Sequence, residues 1–153
     1  MGIYSEYLSS LVDFPAIERE RKRQLELISK IRGHDVLTVA CDLGGRPEKL
    51  SAPIGIDYTD LLPVSDQIHT LKNDSIDVIL ETGGGLAERA EDIVKIIRGK
   101  FTNVSFIVPG EAMSAGTIMV MSGDEILLEP NSSLGPIDAQ VLASGKRFSA
   151  EAF

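Results

Sequence analysis

Cysteine occurs once in these 153 residues, at Cys41, and histidine twice, at His34 and His69. No internal disulfide can form, and there is no Cys/His cluster of the kind that holds a structural zinc. A reducing compartment fits such a chain, and the cytoplasm is its expected location. Long apolar runs are missing too. Stretches such as 117–121 fall far short of the roughly 20 residues a bilayer span needs, and residues 1–10 lack the basic-then-apolar pattern of a signal. Positive charge is in deficit, with 15 Lys and Arg against 23 Asp and Glu and a net charge of −8. That sign repels phosphate backbones and anionic membrane surfaces, so general nucleic-acid binding is disfavoured. Internal repeats and low-complexity tracts are absent, which removes solenoids and tethering linkers.

What is present, 43% hydrophobic and 25% charged residues with 14 Gly and 7 Pro, is the profile of a globular chain. Its length suits one domain with an appended helix: a helical segment over 1–33, then a domain over 34–153. Asp13, Phe14 and Pro15 read as a helix start. Ile17, Leu25, Ile28 and Ile31 recur on one thin apolar face until Gly33 stops the run, and the basic stretch 19–23 reads as a solvated face. A strand is expected over 35–40, a surface loop over 42–53, and a second helix from Thr59 to Lys72 with Leu62, Ile68 and Leu71 inward and Pro63 in its first turn. The rest alternates regularly: strand 76–80, helix 86–98, strand 104–108, helix 114–121, strand 125–128. Such alternation predicts an α/β fold of repeated β-α units around a mainly parallel sheet. Right-handed crossovers then align the strand C-terminal ends along one edge, where such proteins place their sites.

Two turns fall on that edge. The first, Glu81-Thr82-Gly83-Gly84-Gly85, leaves backbone N–H groups uncovered at a helix start, an arrangement suited to a phosphate or an oxyanion; three glycines also suit a tight turn on steric grounds alone. The second, Val108 to Thr117, places Ser114 at the head of an apolar helix between small neighbours, where it is either a nucleophile or a helix N-cap. The Gly-x-Ser-x-Gly elbow of α/β-hydrolases is absent, since Ala112 stands two residues before Ser114.

Together with a third stretch, Pro130-Asn131-Ser132-Ser133-Leu134-Gly135-Pro136-Ile137-Asp138, these motifs resemble the serine peptidases of the Clp protease and crotonase superfamily. Within it they are most similar to the serine dehydrogenase proteinase family, related to signal peptide peptidase A. The resemblance covers roughly residues 50–153 with its motifs in order, and Gly83 stands where the superfamily usually has proline. It implies a crotonase-like (Clp protease-like) fold, a peptide or protein substrate, a homo-oligomer, and neither cofactor nor metal. By position Ser114 is the nucleophile, the glycine amides of Gly84 and Gly85 and the N–H of Ala115 form the oxyanion hole, and Asp138 falls near a base or triad acid.

The base is the open question. Serine attack needs a proton acceptor, usually His or a depressed-pKa Lys, and no histidine follows Ser114. His34 and His69 read as surface or packing residues. Lys146 is the only lysine after Ser114 and offers a Ser-Lys dyad, although its Gly-flanked surroundings read equally as a solvated loop. Asp138 can likewise cap a local turn. Residues 149–153 read as the opening of a helix that stops, which suggests a truncated domain with its base elsewhere. Three other readings stay open. A dinucleotide module would use Gly83, Gly85 and Glu111, with Glu88 opposing a pyrophosphate. An acyl-CoA enzyme would use the paired amides on an enolate without need of Ser114. The last is an inactive scaffold of the same fold.

Overall fold

A computed structural model describes Ser9 and residues 13–41, 55–138, 140–143 and 146–149. Helix α1 spans Phe14–Arg32. The Asp13 carboxylate accepts the Ala16 N–H at 2.7 Å, and Pro15 sits in the first turn, where an N–H has no helical partner to lose. Gly33 ends the helix in the left-handed region at φ 72°, its N–H on the Ser29 carbonyl. No residue of α1 is buried, and Phe14 and Ile31 are 73% and 82% exposed.

Strand β1 follows at Asp35–Ala40, then a single 3-10 turn at Tyr58–Asp60 and helix α2 at Leu61–Thr70. Next come β2 (Ser75–Glu81), α3 (Ala87–Arg98), β3 (Asn103–Val108), β4 (Glu111–Ala112), α4 (Ala115–Met121) and β5 (Glu125–Leu128). Strands β6 (Ser133–Leu134), β7 (Gln140–Ala143) and β8 (Lys146–Ser149) complete the described chain. The main sheet is wholly parallel in the order β1-β2-β3-β5, as the alternation of strands and helices predicts. Leu37, Val78 and Phe106 stand in register across three strands and are almost fully buried. Each such side chain contributes about 1.5–3 kcal/mol relative to exposure. Ala90, Ile93 and Ile97 of α3 and Met119 and Val120 of α4 belong to the same core.

Several expectations need correction. The helix expected from Thr59 to Lys72 is a 3-10 turn followed by Leu61–Thr70, and Val64 and Ile68 face inward while Leu62 is 69% exposed. Leu62 lies one residue, 100° of helical rotation, from Leu61, which packs on the core; Pro63 does fall in the first turn. Leu86, expected to open the helix over 86–98, instead precedes α3 and is half-exposed, and Ala90, Ile93 and Ile97 form the buried face of α3. Ser149 lies in strand β8, not at a helix start, and residues 150–153 and the loop expected over 42–53 lie outside the described residues.

Toward the N-terminal ends of the strands an ionic cluster gathers on the buried Asp77. Arg32 donates from Nε and Nη2 to the two Asp77 oxygens at 2.9 and 3.1 Å, and Nη2 also reaches Glu125. His34 Nδ1 lies 2.8 Å from Asp77 Oδ1. Burial pushes the Asp77 carboxyl up, but the hydrogen bonds from Arg32 and His34 and their charge outweigh it and hold it below the usual carboxylate range. From Asp77 to the end of β2 at Glu81 is four residues, about 13 Å at 3.3 Å per residue. His34 is therefore occupied far from the C-terminal edge, and His69 is exposed on α2.

Candidate active site

The first turn continues β2. Thr82 extends the strand and is stitched to the second turn by main-chain bonds, Thr82 N–H to Glu111 O and Met113 N–H to Thr82 O, both 2.9 Å. Gly84 and Gly85 then adopt φ 111° and 151°, which side chains disfavour. The backbone of Ile56 crosses here, donating its N–H to Gly84 O at 2.9 Å and accepting Leu86 N–H at 2.8 Å. A Cβ on Gly85 would stand 2.3–2.4 Å from Ile56 main-chain atoms, so glycine is required by the close approach of the Ile56 backbone as well as by φ.

In the second turn, β4 delivers Met113 and then Ser114 at φ 51° and ψ −116°. Among the described residues Ser114 is the one non-glycine with positive φ. Its side chain makes no capping bond, so the N-cap reading of Ser114 fails: the residue stands at the cap position of α4 without serving it. A conformation of this kind costs of order 1–3 kcal/mol and persists only where the surroundings impose it. They do so here through main-chain bonds from Met113 to Thr82 and from Gly116 to Met113, and through the burial of Ala115, Gly116 and Thr117. The third motif closes on the same point. Thr117 Oγ1 donates to Ala112 O at 2.7 Å and accepts the Gly135 N–H at 3.1 Å, while β6 pairs with β4.

The two turns touch. A Cβ on Gly84 would lie 3.0 Å from Ser114 Cβ and 3.6 Å from its Oγ. The Gly84 N–H donates to Thr82 Oγ1 at 3.1 Å, whereas the N–H groups of Gly85 and Ala115 meet no acceptor among the described residues. Asp138 lies three residues past Gly135, half-buried and without a hydrogen bond or ion pair among the described residues. Lys146 opens β8 opposite Ala143, so it belongs to a hairpin strand and not to the turn expected of it. The structure thus brings Ser114, Gly84 and Ala115 together, with Gly85 next in the chain, and places neither histidine with them. The tie of Thr82 to the second turn escapes sequence reading, because it rests on a bridge between residues 82 and 112. No group of three or more His, Cys, Asp or Glu among the described residues is placed to hold a metal, and no helix among them is long and apolar enough to cross a membrane.

A profile of the ClpP-like SDH-type serine proteinases matches residues 12–147. Two uncharacterized proteins of Methanocaldococcus jannaschii are each 28% identical, one over 137 residues covering 85% of this chain and 46% of its own, the other over 131 residues covering 81% and 40%. The chain therefore spans less than half the length of these curated relatives. Among solved structures, a mutant ClpP1 from Listeria monocytogenes superposes with a TM-score of 0.51 at 19% identity, covering 71% of this chain and 58% of its own. That likeness bears on the fold, which is ClpP-like.

Proposed function

Because the chain belongs to the ClpP-like SDH-type serine proteinase family, we propose that it is a serine peptidase acting through an acyl-enzyme on Ser114. The observation that carries this reading is the conformation of Ser114, strained, uncapped and packed against Gly84. A serine kept in a costly backbone geometry without serving its helix is held there for its hydroxyl. In the proposed reaction Ser114 Oγ attacks a peptide carbonyl as its proton passes to a base. The oxyanion is held by the N–H groups of Gly85 and Ala115, neither of which meets an acceptor among the described residues. Gly84, whose amide is engaged with Thr82, supplies the close approach to the hydroxyl. Collapse of the tetrahedral intermediate breaks the C–N bond, the base returns its proton to the leaving amine, and water then hydrolyses the ester. The base is Lys146 or a residue supplied elsewhere in the full-length protein, with Asp138 orienting it. The substrate is a peptide or protein, and the active form is a homo-oligomer.

The test is labelling of the full-length protein with a serine-reactive fluorophosphonate, followed by mass mapping of the adduct. An adduct on Ser114 that disappears in Ser114→Ala, with peptide cleavage lost in parallel, is the expected result. Cleavage that persists in Ser114→Ala ends this reading and favours enolate stabilisation by the same amides.

A further inference from the structure

Thr82 is completely buried and reaches both turns of the site. Its hydroxyl has one proton and two lone pairs, and all three are used. Oγ1 accepts the Gly84 N–H at 3.1 Å and the Cys41 S–H at 3.2 Å, and donates to the Gly84 carbonyl at 3.1 Å. Its Cγ2 occupies the space that Gly116 leaves open at the start of α4, where an added Cβ would lie 2.3 Å away. Its main chain holds Glu111 and Met113.

The consequence follows from peptide planarity. The Gly84 carbonyl and the Gly85 N–H belong to one trans peptide unit and point in opposite directions. Two donors fix that carbonyl, the Thr82 hydroxyl and the Ile56 N–H. Fixing the carbonyl aims the Gly85 N–H the other way, and since the two glycines carry no side chain to restrict this unit, its hydrogen bonds set its orientation. We propose that Thr82 is a positioning residue of the acyl-transfer site, holding the Gly84–Gly85 peptide so that the Gly85 N–H stays aimed at the oxyanion. The proposal rests on the serine-peptidase reading above. It also keeps the Gly84 amide out of the oxyanion hole, since that N–H remains on Thr82.

Two substitutions in the full-length protein separate hydroxyl from shape. Thr82→Val keeps the branched side chain and removes the hydroxyl, whereas Thr82→Ser keeps the hydroxyl and removes the methyl against Gly116. The rate constant for fluorophosphonate labelling of Ser114 is expected to fall by about a hundredfold in Thr82→Val, the size of losing one oxyanion donor. Thr82→Ser is expected to label close to the wild-type rate even if its melting temperature is the lower of the two. Rates that track melting temperature instead of the hydroxyl overturn the proposal, as does a Thr82→Val protein labelling like wild type. Should Thr82→Val not fold, amide NMR of the wild type decides. On phosphonylation of Ser114 the Gly85 amide proton must move downfield and that of Gly84 stay, and movement of Gly84 alone overturns the assignment. A wild-type protein that does not label at Ser114 instead overturns the serine-peptidase reading itself, and this proposal with it.

Discussion

At the scale of single residues, the cost of the site is concentrated in backbone angles. Ser114 sits at φ 51°, which glycine adopts without penalty. Ser114→Gly is therefore expected to raise stability by about 1 kcal/mol in denaturant melts while abolishing fluorophosphonate labelling. A variant that is less stable than wild type contradicts the strain assigned here. Gly84→Val works in the opposite direction. Its side chain must displace Ser114, because even a Cβ stands 3.0 Å from Ser114 Cβ and 3.1 Å from the Met113 carbonyl. A displacement near 1 Å costs about a hundredfold in labelling rate. Ser114 and the three glycines were legible in the sequence because residue type and turn position alone single them out. Thr82 was not, since a threonine at a strand end has no distinguishing type, and its tie to the second turn exists only once Ala112 is brought beside it.

At the scale of elements, periodicity served long segments and failed short ones. The parallel strands and α1 and α3 were readable within a residue or two, with caps at Asp13 and Gly33 marking the ends of α1. Strands β4 and β6 have two residues each, too few to show a period, yet they join the second and third motifs. The link between α1 and the sheet was equally invisible, because Arg32 and Asp77 meet across 45 positions of sequence. Asp77 is buried with its carboxyl held below the ordinary range by Arg32 and His34. A carboxylate whose folded pKa is depressed contributes stability above its unfolded pKa of about 3.9 and loses it as pH falls through the folded value. Asp77→Asn is accordingly expected to lower stability at pH 7 by about 3 kcal/mol and to flatten the loss seen below about pH 4. Urea melts from pH 3 to pH 7 measure both, and parallel curves for the two proteins contradict the assignment.

At the scale of the whole molecule, apolar surface stands uncovered in several places. Helix α4 and strand β5 follow each other in the chain and leave Ile118, Met121, Ile126 and Leu128 exposed, and α1 buries none of its residues. Surface of that kind is characteristic of interfaces between subunits or with further chain. The full-length protein is expected to sediment as an oligomer at micromolar concentration, and a monomer throughout the accessible range contradicts this. Adding charge at Met121 and Leu128 together (Met121→Lys, Leu128→Lys) tests whether α4 and β5 form the contact, by shifting the distribution toward monomer.

The bonds that join the two turns have one more consequence. Thr82 to Glu111 and Met113, and Ile56 to Gly84 and Leu86, are all main chain to main chain. Such bonds are indifferent to which side chains the residues carry. The side chains of these turns can therefore change without altering the distance between serine and glycine turn. What evolution is not free to change are the few positions where a single added carbon has nowhere to go.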